Sequence, residues 1–248
     1  MKLGELSWPD VAQLDKGRVV AVYPIASFEQ HGPHLPFLTD TLEVTEIIER
    51  LDQRIPDNIV CLPTQWLGYS FHHMDFGGSL TATSDTHIGM IVETVSSLIA
   101  GGFLTTLIVN GHGGNRADMQ VALQKLREHY REVRVYGVSW WEAAHSQLEQ
   151  IREAGPRGWG HAGEMETSMV MVIRPDLVHT DRLQADGIWP ESTYGDKVAR
   201  FRMMRGEASH RGNIGDPTVA TPEKGERMFQ VVVDCLVGIV EDIMSGKL

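Results

Sequence analysis

The sequence has 248 residues, of which 42% are hydrophobic and 22% are charged, with 25 glycines. This size and composition exclude a disordered, collagenous or coiled-coil chain and predict a single α/β domain over residues 1–248. The 22 basic and 33 acidic residues leave a net charge of −11, which disfavours a nucleic-acid partner because phosphates are repelled.

The cysteines and the apolar stretches indicate the cellular location of the protein. Cys61 and Cys235 belong to no Cys-x-x-Cys pair, which excludes a thiolate zinc site, and two cysteines in this length indicate a reduced protein. Residues 1–10 lack the basic start and apolar run of a signal peptide. Glu93 and Asp234 interrupt the longest apolar stretches before they reach the ~20 residues of a membrane span. We therefore expect a soluble, cytoplasmic protein without a membrane partner.

Apolar residues alternate along the chain between strand-like runs and helical faces. The pattern predicts, in order, strand 19–23, helix 41–51, strand 59–62, helix 86–100, strand 104–109, helix 116–130, strand 134–138, helix 164–173 and helix 222–244. This alternation is typical of a mainly parallel sheet covered on both faces, an α/β/α architecture. Residues 181–221 lack periodicity, and we interpret them as an irregular excursion, a lid or an oligomer contact, within the same domain.

The first polar cluster, at 27–40, contains a carboxylate and an imidazole two residues apart. Glu29 and His31 point to the same side of an extended segment and can converge on one point. Asp40 precedes a predicted helix, where it is a candidate helix cap or, through its two oxygens, a bridge between two metal ions. Carboxylate and imidazole ligands suit zinc, manganese or iron, and metal binding and a structural role are equally compatible with this cluster.

The second cluster, Asn-Gly-His-Gly-Gly-Asn at 110–115, directly follows the strand predicted at 104–109. It lacks the Gly-Lys-Ser/Thr of a P-loop, and Arg116 stands where the dinucleotide fingerprint requires a third glycine. It is similar to the His-Gly-Gly loop of lipases, but the sequence contains no Gly-x-Ser-x-Gly elbow. Because ligands bind beyond the carboxyl ends of parallel strands, we interpret His112 as a metal ligand.

The third cluster, at 158–168, contains His161, Glu164 and Glu166. His161 and Glu164 are three residues apart and share a face if the following helix starts early. The two glutamates would also stabilise the positive end of that helix without any chemical function, but this interpretation does not account for the histidine. We therefore expect His161 to be functional.

A fourth stretch, at 69–79, has the composition of a loop that lines a pocket. His72 and His73 cannot both face one metal on a strand, because consecutive side chains point to opposite sides. Ser70 and His73 are candidate substrate-binding residues, and a hydrogen-bonded structural histidine is an equal alternative.

The motifs occur in a fixed order along the chain. Glu-x-His-Gly-Pro-His-Leu-Pro with an aspartate nine residues after its first histidine comes first, then Asn-Gly-His-Gly-Gly-Asn, then His-Ala-Gly-Glu-x-Glu-Thr-Ser. Together they resemble the creatininase (creatinine amidohydrolase) family, to which residues 5–9 and 212–226 are also similar. The resemblance implies a three-layer α/β/α fold, a homo-hexamer and two divalent metal ions, zinc, manganese or iron, that serve C–N bond hydrolysis.

The resemblance also implies roles for individual residues. Glu29, Asp40 and His112 would hold one metal, and His31 and Asp40 would hold the other, with Asp40 bridging the two. His161 matches the catalytic histidine of the family.

Two features depart from the creatininase pattern. Creatininases carry Tyr and Glu where this chain has Gly113 and Gly114, and that glutamate is the remaining ligand of the second metal. Glu164 is the expected replacement, and Glu166 is the alternative. The tryptophan-bearing loop also differs, since Trp159, a candidate substrate contact, lies only two residues before the catalytic histidine.

These departures argue for a substrate other than creatinine. The Gly-His-Gly-Gly-Asn version is more similar to the formamide deformylases of flavin and deazaflavin synthesis and to the peptide-processing members of the family. We expect a metal-dependent amidohydrolase that cleaves a C–N bond of a small amide, cyclic amide or formamide through a metal-activated water. Glu164 would take the proton of the water, and His161 would stabilise the oxyanion or protonate the leaving nitrogen.

Three alternatives stay open from the residues. The first is a mononuclear metal hydrolase of the same fold, because Gly114 offers no side-chain ligand. The second is a non-catalytic metal-binding scaffold. The third, a metal-free nucleotide binder, is disfavoured by the acidic charge and by the missing phosphate loops.

Overall fold

Four parallel strands form the centre of the protein. The computed structural model describes residues 1–155, 158, 160–189 and 198–248, so that Trp159 lies outside the described residues. The strands are β1 (Val20–Ile25), β2 (Ile59–Cys61), β3 (Thr105–Asn110) and β4 (Arg134–Ser139). Their order in the sheet is β2-β1-β3-β4, and all three pairings are parallel.

The composition of β1 explains its central position. All of its residues are buried, and its side chains alternate between the two faces of the sheet. Val20 and Val22 pack into one apolar cluster, whereas Tyr23 and Ile25 pack into another. A strand that is apolar on both faces is stable only when helices cover both sides.

Helices cover both faces of this sheet. In chain order they are α1 (Trp8–Gln13), α2 (Thr39–Arg54), α3 (Ser84–Ala100), α4 (Asn115–His129), α5 (Trp140–Ala143), α6 (His145–Leu148), α7 (Glu164–Ile173) and α8 (Pro222–Ser245). Helices α2, α5, α6, α7 and α8 share the apolar core on one face, and α3 and α4 share the core on the other. The α/β/α layering confirms the predicted fold class.

The predicted strands and helices are all present, and their bounds differ from the observed ones by up to three residues. The pattern missed α1, α5 and α6, because helices of four to six residues are too short to show a period. The described part of 181–221 is irregular, with an antiparallel bridge between Asp186 and Gly215. No helix among the described residues has the length and the apolar character that a membrane crossing requires.

Candidate metal centre

The predicted ligands other than Glu164 lie close together beyond the carboxyl ends of β1 and β3. This edge of the sheet is where parallel strands bring the residues that follow them together. Asp40 lies in the first turn of α2 rather than at its cap, which is Leu38, and Glu166 lies in the first turn of α7. We call this group the central cluster, and its members are Glu29, His31, Asp40, His112, His161 and Glu166.

Asp40 lies between two histidines. Its Oδ1 is 3.0 Å from His31 Nε2, and its Oδ2 is 3.1 Å from His112 Nδ1. The Ser27 hydroxyl donates a hydrogen bond of 2.6 Å to Oδ2, which fixes the carboxylate in place. A buried carboxylate that presents one oxygen to each of two imidazoles has the arrangement of a bridging ligand between two metal ions.

Glu29 is fully buried and is surrounded by imidazole rings. Its Oε1 lies 3.2 Å from His73 Nε2 and 3.4 Å from His161 Nδ1, and its Oε2 lies 3.1 Å from His112 Nε2. Neither oxygen accepts a hydrogen bond of normal geometry from any described residue. A buried carboxylate in this state needs a cation beside it, either a protonated imidazole or a metal ion.

Hydrogen bonds fix the orientation of His31. Its Nδ1–H donates to the backbone carbonyl of Glu29 at 3.0 Å, so that Nε2 faces Asp40 and, at 3.8 Å, Glu166 Oε2. A backbone carbonyl that binds one ring nitrogen and leaves the other free is typical of metal-binding histidines. The amide of Ala162 donates to Glu166 Oε2 from a left-handed backbone with φ of 51°, a strained conformation of the kind found at functional sites.

The buried charges shift the pKa values of the central cluster. Burial disfavours the ionised form of Glu29, but the imidazoles beside it, His112 foremost, hold the pKa of Glu29 well below its usual value. Burial also disfavours imidazolium, but Asp40 raises the pKa of His31 to about 9. Against the same effect of burial, Glu29 and Asp40 raise the pKa of His112 well above its usual value. The cluster therefore favours a positive charge, carried either by these imidazoles in their protonated form or by a metal ion beside them.

Other groups shift towards their neutral forms. Burial lowers the pKa of His161 well below its usual value, and the neighbouring His31 acts in the same direction. Burial raises the pKa of Glu166 to about 7. Glu43, one turn after Asp40 in α2, is fully buried, and neither of its oxygens has a hydrogen-bond partner among the described residues. Burial, followed by the charges of Glu166 and Asp40, raises the pKa of Glu43 well above its usual value.

Gln30 connects the histidines of the centre. His161 Nε2–H donates to the backbone carbonyl of Gln30 at 2.5 Å, which turns Nδ1 towards Glu29. The side-chain amide of Gln30 donates at 2.8 Å both to His73 Nδ1 and to the Gly212 carbonyl. Sequence analysis missed Gln30, because an uncharged side chain between two candidate ligands carries no signal of its own.

The carboxylate of Glu164 does not enter the central cluster. It accepts hydrogen bonds of 2.8–3.0 Å from the amides of Glu153 and Ala154 and one of 2.7 Å from Lys224 Nζ. The expected roles of Glu164 as metal ligand and base are therefore corrected, since these partners hold its oxygens. Glu166, the alternative considered from the sequence, lies beside His31 instead.

The predicted substrate-binding residues lie in different places. Ser70 is buried, with its Oγ 3.5 Å from His112 Nε2, whereas His73 lines the cavity above the central cluster. His72 and His73 belong to a single 3₁₀ turn rather than a strand, so that both rings approach the centre, with centroids 4.2 Å apart. Burial lowers the pKa of His73 to about 3 and that of His72 to about 4. The predicted contact Trp159 lies outside the described residues.

Two asparagines of the second motif fix the loops around the centre. Asn110 accepts from the amide of His112 at 3.0 Å and donates to its carbonyl at 2.8 Å. Asn115 accepts from the amide of Tyr69 at 2.9 Å and donates to the Ala26 carbonyl at 3.0 Å. The motif itself was recognised, but the role of its asparagines in positioning the backbone is visible only in the fold.

All members of the central cluster except His31 line the floor of a cavity of about 520 Å³. Above the floor, the walls combine the guanidinium groups of Arg116 and Arg202 with the apolar side chains of Trp141, Met204 and Ile214. This volume and this mixture of polar and apolar groups are typical of a site for a small organic molecule.

The side chains fit divalent metal ions. Three sets of residues each offer ligand atoms that lie within 4.8 Å of one another: Glu29, His31 and His161; Glu29, His72 and His112; and His31, Asp40 and Glu166. All the donors are imidazole nitrogens or carboxylate oxygens, which suit zinc, manganese and iron. The unpartnered oxygens of Glu29 are an independent indication of a cation at this position.

Comparison with known proteins agrees with the motifs. Residues 4–240 match the model of the family described as "Creatininase: Creatinine amidohydrolase". A mycofactocin precursor peptide peptidase of Mycobacterium ulcerans is 32% identical over 94% of this chain and 88% of that protein. The creatinine amidohydrolase of Pseudomonas putida is 27% identical over 97% and 95%. A solved structure described as "Creatininase Mn" has a TM-score of 0.84 and 25% identity over 98% of both chains.

These relatives place the chain in the class of hydrolases. Peptidases and amidohydrolases are both hydrolases, and they support hydrolase activity for this chain. Within that class, the chain belongs to the creatininase family, as its motifs predicted.

Proposed function

We propose that this protein is a metal-dependent amidohydrolase that cleaves a C–N bond of a small amide, cyclic amide or formamide. The observation that carries the proposal is Glu29, a fully buried carboxylate with unpartnered oxygens among three imidazoles at the floor of the cavity. A structural relative described with manganese supports a metal of this type.

The donor set divides into two groups. His31, Asp40 and Glu166 would hold one ion, and Glu29 and His112, with Asp40 as a bridge, would hold the other. When bound, the ions would polarise an amide carbonyl and lower the pKa of water towards ~7.

Side chains around the ions would transfer the proton and position the substrate. His161 is oriented by the Gln30 carbonyl through Nε2–H, so that its unprotonated Nδ1 could take a proton from the attacking water and pass it to the leaving nitrogen. His73 is held by the Gln30 amide at the wall of the same cavity, where it would position the substrate. The apolar walls exclude bulk water from the reacting bond and strengthen these interactions.

The test is metal content together with hydrolysis. Freshly purified protein would be analysed for zinc, manganese and iron by mass spectrometry and assayed with formamides, lactams, simple amides and a short peptide. We expect about two metal equivalents per chain, as in dinuclear hydrolases, and turnover that a chelator abolishes and added metal restores. About one equivalent with full turnover would favour the mononuclear alternative. A chain that neither holds nor regains metal and hydrolyses nothing would be a scaffold.

Further expectations rest on family membership. The family implies a small-molecule substrate. A homo-hexamer stays a prediction from the resemblance, and the molar mass from light scattering checks it. A cytoplasmic location stays a prediction from the cysteine content and from the lack of a signal-peptide pattern.

A further inference from the structure

We propose that His72 is a metal ligand of this centre and completes the ion site formed by Glu29 and His112. The proposal rests on the metal-dependent function proposed above and concerns which side chain supplies the remaining donor. It starts from the site on the Glu29 side of Asp40, where Glu29, His112 and Asp40 provide three donors and a tetrahedral ion takes a fourth.

The first observation is the position of the His72 ring. His72 offers a ligand atom within 4.8 Å of ligand atoms of both Glu29 and His112. Its ring stacks on that of His112, with centroids 5.7 Å apart and an angle of 14° between the planes. Both imidazoles therefore offer a nitrogen close to the Glu29 carboxylate, as two nitrogen ligands of one ion do.

The second observation is that these groups lack hydrogen-bond partners. Nδ1 of His72 is buried and has no hydrogen-bond partner among the described residues, and both oxygens of Glu29 are in the same state. His72 and Glu29 lie within ligand distance of each other, and a buried imidazole nitrogen and a buried carboxylate without hydrogen-bond partners are costly. A divalent cation satisfies both at once, whereas a water molecule would have to donate to every one of these acceptors.

The third observation is the glycine at 114. A Cβ built there would overlap the Tyr69 carbonyl and His112 Nε2 and would lie 2.9 Å from His72 Cε1. Any side chain at this position would therefore collide with the 3₁₀ turn that carries His72. Gly114 is required because the Tyr69 carbonyl and the His112 ring occupy the space of a Cβ, with the His72 ring at its edge. The absence of a side chain at 114 therefore lets His72 and His112 lie close together.

The segment around His72 holds the ring in this position. Asn115 binds the amide of Tyr69, and Ser70 N–H donates to Thr81 Oγ1 at 2.9 Å. On its other side the ring lies edge-on against Phe201, with centroids 6.0 Å apart. A ligand whose rotamer is fixed by its neighbours loses little entropy when it binds an ion.

The experiment compares metal binding by the wild type and His72→Gln after removal of metal with a chelator. Each apo protein would be titrated with Zn²⁺ by calorimetry and with Co²⁺ by visible absorption, which reports the ligands directly. We expect two equivalents for the wild type. For His72→Gln we expect one unchanged site and a second site weakened at least about tenfold, since even outer-shell changes cost 10–100-fold in metal affinity. The Co²⁺ bands of that second site should also shift.

Two further variants complete the test. His129→Gln removes an exposed imidazole at the end of α4 and should leave both sites unchanged. His72→Glu restores a side chain that can ligate and should recover the second equivalent, which keeps the test valid if His72→Gln unfolds.

Wild-type affinity and an unchanged Co²⁺ spectrum in His72→Gln would overturn the assignment of His72. So would a wild type with a single site that His72→Gln leaves intact. Neither result touches the proposed function, which fails only if the wild type binds no metal or hydrolyses no amide.

Discussion

Two glutamates two residues apart illustrate how partners decide the role of a side chain. Successive residues of a helix are rotated by ~100°, so Glu164 and Glu166 point in nearly opposite directions from α7. Glu164 meets Lys224 and two backbone amides, whereas Glu166 meets the Ala162 amide and faces His31. The same substitution at each position should therefore have different effects.

Glu166→Gln should lose one metal equivalent and at least about tenfold in metal affinity, because an amide is a poorer ligand than a carboxylate. Turnover should fall with metal content, and the apo protein should keep its stability. Metal analysis of dialysed protein and an unfolding curve in chelator check both statements. Full metal content in Glu166→Gln would remove it from the ligand set.

Glu164→Gln should show the opposite pattern. It should lower the free energy of unfolding by about 2 kcal/mol, because Lys224 and the amides lose a charged acceptor that is only 1% exposed. Metal content should match that of the wild type. Urea unfolding with metal analysis measures both, and loss of metal would return Glu164 to the ligand set.

His161→Ala should lower kcat by about 10²–10⁴-fold, the usual effect of losing a proton-transferring side chain, and leave metal content unchanged. We expect kcat and metal content to respond differently because His161 Nδ1 faces Glu29 at the cavity floor. The contacts of Asp40 with His31 and His112 do not involve His161. Steady-state kinetics and metal analysis on one preparation decide the point. If metal is lost, His161 is a ligand and its assigned role is wrong.

At the scale of the elements, α2 directs two acidic side chains towards the core. Asp40 is the candidate ligand, and Glu43 has no hydrogen-bond partner among the described residues. Asp40 and Glu43 are three residues apart on one face, and both are buried. Burial raises the pKa of Glu43 in the folded chain well above its usual value, so we expect Glu43 to bind its proton more tightly in the fold than in the unfolded chain, where it ionises above pH ~4.5. Unfolding then releases a proton, so this group makes the fold less stable as the pH rises.

Glu43→Gln should remove that pH dependence. In the metal-free protein, the wild type should lose up to ~1.4 kcal/mol per pH unit from this group as the pH rises above 4.5. The variant should lack this contribution and be the more stable protein at pH 7. Unfolding curves at pH 5, 6 and 7 give the free energy of unfolding of both proteins. If this free energy changes equally with pH in the two proteins, Glu43 is ionised in the fold.

For the whole molecule, the candidate metal centre joins segments that are distant in sequence. Glu29, His112 and Glu166 come from three parts of the chain that meet at this edge of the sheet. Metal binding should therefore stabilise the entire fold, because the unfolded chain cannot assemble the site.

Added zinc at ~100 times its Kd should raise the stability by about 2.7 kcal/mol per site, which corresponds to roughly 5–10 °C in Tm for a chain of this length. Thermal unfolding in chelator and in zinc measures the shift. Glu166→Gln should show a smaller shift than the wild type. An unchanged Tm in the wild type would contradict the presence of the centre.

The sequence by itself determined the order of strands and helices, the α/β/α class, the family and the ligand motifs. These properties are local: the period of apolar residues fixes each element, and the type and spacing of polar side chains fix which chemistry they can perform. The positions of Glu29, His31, Asp40 and His112 followed because residues after parallel strands must meet at one edge.

Only the tertiary structure decided which side chains lie together in the candidate centre. The choice between Glu164 and Glu166 depends on the direction in which α7 faces, and that is set by packing against α8, which brings Lys224 to Glu164. The approach of His72 depends on a 3₁₀ turn that passes over Gly114. Contacts between segments far apart in the chain leave no periodic signal, so spacing alone could not reveal them.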